Sequence, residues 1–194
     1  MKKIGFMIVA LFLGQAISAQ IQQESFDASE IPDGWIYEIN SNATNWQFGY
    51  TGVMPHSGPT IESEFATGAA LFNDNNHGEK SNDKTRLITP AVDVSDIKEA
   101  QIAVTYNLQV ADDKGEFSIE VYNGRRWKEV YFQDTSSPKN TGMNEVVLLE
   151  VSDFLNDEFQ VRFTYNDEGQ EFTQGLAIDH YELIDESSQR IDNE

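Results

Sequence analysis

The sequence predicts an all-β fold, a two-sheet jelly-roll β-sandwich of about nine to eleven strands. Three observations predict it. Apolar residues recur with period two: Ile102, Val104, Tyr106 and Leu108 share one face of 101–109. Phe159, Val161, Phe163 and Tyr165 share one face of 158–165, opposite Gln160, Arg162 and Thr164. An Asn123-Gly124 pair separates two alternating runs, one of Phe117, Ile119 and Val121 and one of Trp127, Val130 and Phe132. This reads as a hairpin closed by a type I′ turn. The remaining strand-length runs are divided by clusters of Gly, Asn, Asp and Ser, with little helical periodicity.

Taken in order, short strands are expected beside Phe26 and Trp35, then at 46–49, 69–73 and 86–88. The long run 101–109 and the hairpin follow, then 144–151, 158–165 and 176–184. Helical turns are expected only at 94–99, where Ser95 is placed to cap, and at 152–155. Two long irregular segments, 50–66 and 74–85, are the expected sites of binding on a rigid sheet.

The ends and the composition bound the setting. Lys2 and Lys3 precede an apolar stretch at 4–13 and a small-residue site, Ala16-Ile17-Ser18-Ala19. That is the layout of a secretory signal with cleavage after Ala19. The expected organisation is a signal at 1–19, one binding domain at 20–185 and a frayed polar tail at 186–194. The chain has no cysteine, so neither disulfides nor a lipid-anchoring thiol are expected. No later apolar run approaches a membrane span, so no membrane insertion is expected. The formal net charge is -20, a field that repels phosphate backbones, so nucleic acid is excluded as a natural partner.

The ordered landmarks Glu24-Ser25-Phe26, Ile31-Pro32-Asp33-Gly34-Trp35, Asn45-Trp46 and Leu87-Ile88-Thr89-Pro90 resemble the first half of the choice-of-anchor J or cleaved-adhesin type of domain. Trp127, Leu149-Glu150-Val151-Ser152, Val161-Arg162-Phe163 and Ala177-Ile178-Asp179 continue it, over about residues 22–184. The resemblance implies a jelly roll related to MAM and galactose-binding-like folds, serving as a secreted or cell-surface binding module. It also implies a structural calcium between a first-strand glutamate, here Glu24, and a last-strand aspartate, here Asp179. Loop oxygens would complete the shell, and the corresponding loop holds Asn40 and Asn42 where relatives have aspartates. Asn73 and Asp74 stand in reserve as ligands. From its strand pattern alone, Asp179 shares a face with Ala177, Tyr181 and Leu183. A carboxylate there needs a metal, loop amides, or a pairing with Arg86 or Arg162.

Enzyme motifs are missing. His56, His77 and His180 are not spaced as zinc ligands, and no nucleophile elbow, Walker loop or dinucleotide fingerprint is present. Paired acids such as Glu62 and Glu64 leave a glycoside hydrolase as the less favoured reading. The expected partner is a glycan or an extracellular protein, with Tyr50, His56 and Phe65 as the candidate contact residues. Trp35, Trp46 and Trp127 are assigned to the core. The rival reading is an assembly protein that docks by an open sheet edge. Oligomeric state is not legible.

Overall fold

The alternating runs become two antiparallel sheets packed on one core. A computed structural model of the chain describes residues 19–40, 45–53, 65–74, 83–110, 115–137, 144–167, 169 and 174–187. Residues 1–18 of the expected signal at 1–19, together with Asn42, His56, Glu62, Glu64 and His77, lie outside the described residues. Ten strands are described: β1 (Ala19–Glu24), β2 (Ile36–Ile39), β3 (Ala70–Asn73), β4 (Lys84–Ile88), β5 (Ala100–Gln109), β6 (Glu116–Tyr122), β7 (Trp127–Gln133), β8 (Glu145–Glu150), β9 (Gln160–Asn166) and β10 (Gly175–Asp185).

One sheet has the order β1-β10-β5-β8, with β3 also on β10; the other has the order β2-β4-β9-β6-β7. β10 serves two neighbours along one edge, β3 through Gly175 to Ile178 and β1 through Tyr181 to Asp185. On its other edge β5 pairs along its whole length, with a register shift between Ile178 and His180.

Between the sheets, Trp35 stacks on Phe163 at 6.3 Å and meets Phe26 and Tyr181 edge-on at 5.0 and 5.7 Å. Farther along, Trp46, Phe72 and Tyr165 form a second aromatic row. Trp46 Nε1 donates to Thr85 Oγ1 at 2.8 Å, which satisfies the one polar atom of that buried ring. A smaller cluster of Phe65, Ala69, Leu71 and Ala177, with Tyr50 packed against it, lies apart from the main core. It joins loop residues to the face of β3 and β10 opposite the main core.

Several expectations are corrected. The run 46–49 is not a strand; Gln47 makes a single bridge to Leu71 on the free edge of β3. Residues 94–99 form a turn, because Asp93 Oδ1 accepts from Ser95 N and Ser95 Oγ and draws the chain into a local loop. The 152–155 turn is present as a 3₁₀ turn over Ser152–Phe154. The hairpin is present, but its connection has four residues, with Tyr122 opposite Trp127. Only Gly124 there has a positive φ, 81°. Asn123 acts through its side chain, whose Oδ1 accepts from Arg125 N and Arg126 N. A register shift against β6 at Val130 then leaves Phe132 46% exposed. Trp127 is on the surface, with the Arg162 guanidinium 4.5 Å above its ring, and does not belong to the core. No helix among the described residues is long and apolar enough to cross a membrane.

Candidate metal centre

Strand alternation carries past the core into a cluster of acids. Ala70 and Phe72 of β3 face the core, and the next residue in step is Asp74. Leu87 faces the core from β4, buried Thr85 follows its parity, and the residue before it in step is Asp83. Phe163 and Tyr165 do so from β9, and the next in step is Asp167. The Lys84–Asn166 pair ends the β4–β9 ladder, and Asp167 N donates to Asp83 O at 3.0 Å just beyond it. Two carboxylates thus come from one sheet and one from the other, at one end of the sandwich.

These three aspartates are the group of three or more metal-capable side chains found among the described residues, with ligand atoms within 4.8 Å of one another. All are buried: Asp74 is 4% exposed, and Asp83 and Asp167 are 0%. Tyr165 OH donates to Asp74 Oδ2 at 3.3 Å, and Gly169 N donates to Asp167 Oδ1 at 2.7 Å. Asp74 Oδ1 is buried with no hydrogen-bond donor among the described residues. Burial pushes the Asp74 carboxyl up to about 8, and contact with Asp83 and the charge of Asp167 add to it, against the Tyr165 hydrogen bond. An all-oxygen, triply acidic site with one orphaned oxygen suits a hard cation and lacks the nitrogen or sulfur that zinc favours.

The other candidate ligands are elsewhere. β1 and β10 do meet, with Glu24 opposite Tyr181. Glu24 Oε1, however, accepts from Ser25 N and Phe26 N at 3.0 and 2.7 Å, closing its own turn. Asp179 sits at the register shift of β10, in the gap between β3 and β1. The extra residue reverses parity there: Ile178, Tyr181 and Leu183 join the main core while Ala177 joins the smaller cluster. Asp179 therefore does not share a face with Tyr181 and Leu183. Burial raises its carboxyl above the ordinary range, His180 opposes this, Asp27 adds to it, and a hydrogen bond with Asn144 lowers it. Arg86 and Arg162 are paired with Glu38 and Glu120 instead. Asn40 Oδ1 accepts from Lys84 N at 2.8 Å and so ends the β2–β4 pair.

Of the proposed contact residues, Phe65 is 1% exposed and Tyr50 packs edge-on against it at 6.3 Å, with its hydroxyl on Val53 O. Both pack the described ends of the 50–66 segment against the sheet. Asp83 and Asp167 are the residues that sequence reasoning missed. Their signal was the in-step position one pair beyond Thr85 and Tyr165.

No family model and no curated protein sequence matches the chain. Among solved structures, the K1 cleaved adhesin domain of Lys-gingipain from Porphyromonas gingivalis W83 is similar, with a TM-score of 0.57 at 14% identity over 84% of this chain and 96% of that one. The K3 cleaved adhesin domain of the same protein gives 0.56 at 14% identity, over 85% and 98%. A carbohydrate-binding module described for specific mannan recognition gives 0.48 at 12% identity, over 89% and 100%. The chain thus has the two-sheet fold of the cleaved adhesin domains, as the landmarks in its sequence implied.

Proposed function

We propose that this chain is an exported, non-catalytic binding module of the adhesin type, in which a calcium ion held by Asp74, Asp83 and Asp167 ties the two sheets together at one end. The observation that carries the calcium is the buried triad drawn from both sheets, with Asp74 Oδ1 lacking a donor among the described residues. Three carboxylates this close repel unless a proton or a cation intervenes. Calcium takes six to eight oxygens, so carbonyl groups or water would complete the shell. The adhesin named in the K1 and K3 domains supports binding over catalysis, with a glycan or an extracellular protein as ligand.

The test is a thermal melt in millimolar calcium and in chelator. Calcium is expected to stabilise by about 2.7 kcal/mol at a hundredfold excess over Kd, and Asp83→Asn is expected to abolish most of that gain. Identical melts with and without calcium would remove the ion. A calcium gain lost in Asp179→Asn but kept in Asp83→Asn would move it to the Glu24–Asp179 position.

A further inference from the structure

The strands β4, β9, β6 and β7 turn a row of polar side chains away from the core, and a shallow cavity of about 160 Å³ lies on that outer face. Its lining includes Lys84, Arg86 and Arg162 together with Glu116, Glu120 and Glu129. Thus three of the chain's 13 basic residues gather on one surface of an otherwise strongly acidic protein. Positive and negative groups balance in the lining, with Glu38 beside it on Arg86, so the cavity presents many donors and acceptors and no excess positive charge for an anion.

Two features of this face are left open for a ligand. Arg86 gives Nη1 to Glu38 at 3.0 Å and keeps its side chain 30% exposed at the cavity, while its Nε–H is buried out of a ligand's reach. Phe132 borders the cavity with its ring 46% exposed, placed there by the register shift in β7. By contrast Arg162 is committed, with Nε and Nη2 on the Glu120 carboxylate at 2.5 and 2.7 Å and its plane over Trp127. Thr164 Oγ1 completes that network by donating to Glu120 Oε2 at 3.1 Å. Burial works to raise the Glu120 carboxyl, yet the hydrogen bonds and charge of Arg162 hold it below its ordinary value. The floor of the cavity is therefore a fixed polar network, and Arg86 and Phe132 are the groups beside it that stay exposed to a ligand.

We propose that this outer face binds a neutral glycan, one sugar unit resting against Phe132 with a hydroxyl oxygen accepting from the exposed part of the Arg86 guanidinium. The proposal rests on the binding-module reading and assigns its ligand and surface. A sugar ring has an apolar face for an aromatic ring and a rim of hydroxyls that both donate and accept, which matches a surface of this composition. The cavity is well below the roughly 300–1,000 Å³ of pockets that enclose whole small molecules. It suits one unit of a longer chain lying across the strands. A protein partner would need a desolvated apolar centre, whereas Phe132 here stands among charges. A polyanion would meet the balanced face and the overall negative field.

The experiment is native affinity electrophoresis of the full chain in gels containing soluble neutral glucan, mannan, galactan or xylan, with a polyuronate as the anionic comparison. Retardation by at least one neutral polysaccharide is expected, with affinity reduced about tenfold or more in Phe132→Ala and in Arg86→Gln. Leu148→Ala, on the other sheet, should bind as the parent does. Phe132→Ala removes a half-exposed ring, so its fold should persist, and an unchanged melt verifies this. Retardation equal in parent and both variants would overturn this face while leaving the binding-module reading intact. Retardation by none of the neutral polysaccharides, or only by the polyuronate, would overturn the neutral-glycan assignment. Capture of a protein ligand that is sensitive to Leu148→Ala would do the same and preserve the module.

Discussion

At the scale of single residues, Asp74 couples the candidate metal centre to pH. Its carboxyl is raised from 3.8 to about 8 in the folded chain, by burial first and by Asp83 and Asp167 next. The folded state therefore keeps a proton that the unfolded state releases as pH rises through the window between those values. Where the folded state binds more protons, stability falls with rising pH. Metal-free protein is thus expected to lose stability from about pH 4 to about pH 8 and to level off above. Calcium bound at the triad would displace that proton, so the calcium gain should grow over the same window. Melts in chelator and in calcium across this range check it, and Asp74→Asn should flatten the chelator curve. A chelator curve already flat in the parent would show that no proton is shared in the triad. Asp74 was legible from sequence only as a spare ligand at a strand end. Its partners were not, because Asp83 falls in a segment that reads as loop, and nothing local says that β4 and β9 end side by side.

The elements themselves were largely readable, because burial on one face enforces period two. The runs of β5, β9 and the first half of the hairpin alternate without interruption, and all bury the expected faces. Two of the misreadings fall where one inserted residue breaks the count. Asp179 in β10 and Val130 in β7 each stand unpaired, and each reverses which residues face the core beyond it. The shift in β10 occurs where β3 leaves its edge and β1 takes over, so the last turn of β1 and the entry to β3 must meet there. Gly68 makes that meeting feasible: Gly68 N donates to Asp27 Oδ1 at 2.8 Å, and a Cβ on Gly68 would sit 2.2 Å from Phe26 O and 2.4 Å from Asp27 Cα. Both obstacles are backbone, fixed further by Gly49 N donating to Phe26 O. Gly68→Ala is therefore expected to cost about 2–4 kcal/mol. Denaturant unfolding followed by tryptophan fluorescence measures it. A loss under about 1 kcal/mol would show that this junction yields.

For the molecule as a whole, stability has to come from the core and from the ends of the sandwich, since the chain has no cysteine to cross-link it. Its charge of -20 works against compactness through self-repulsion. The same charge helps keep copies apart at β8, an edge strand whose Val146 and Leu148 are 65% and 60% exposed between Glu145 and Glu150. Screening and the proposed site binding would both raise stability when calcium is added, and they separate by their dependence on valence and on the triad. Sodium chloride acts only on the long-range field, whose reach shrinks to about 10 Å near 0.1 M salt. In chelator, the melting temperature is therefore expected to rise with sodium chloride and then saturate. Magnesium at the same ionic strength as calcium reproduces the screening but demands a tighter octahedral shell that three fixed carboxylates do not readily supply. The parent should thus gain more from calcium than from magnesium. Asp83→Asn should gain the same from both, while keeping its full response to sodium chloride. If the parent responded alike to calcium and magnesium at matched ionic strength, its divalent stabilisation would belong to the general acidic field and not to the triad.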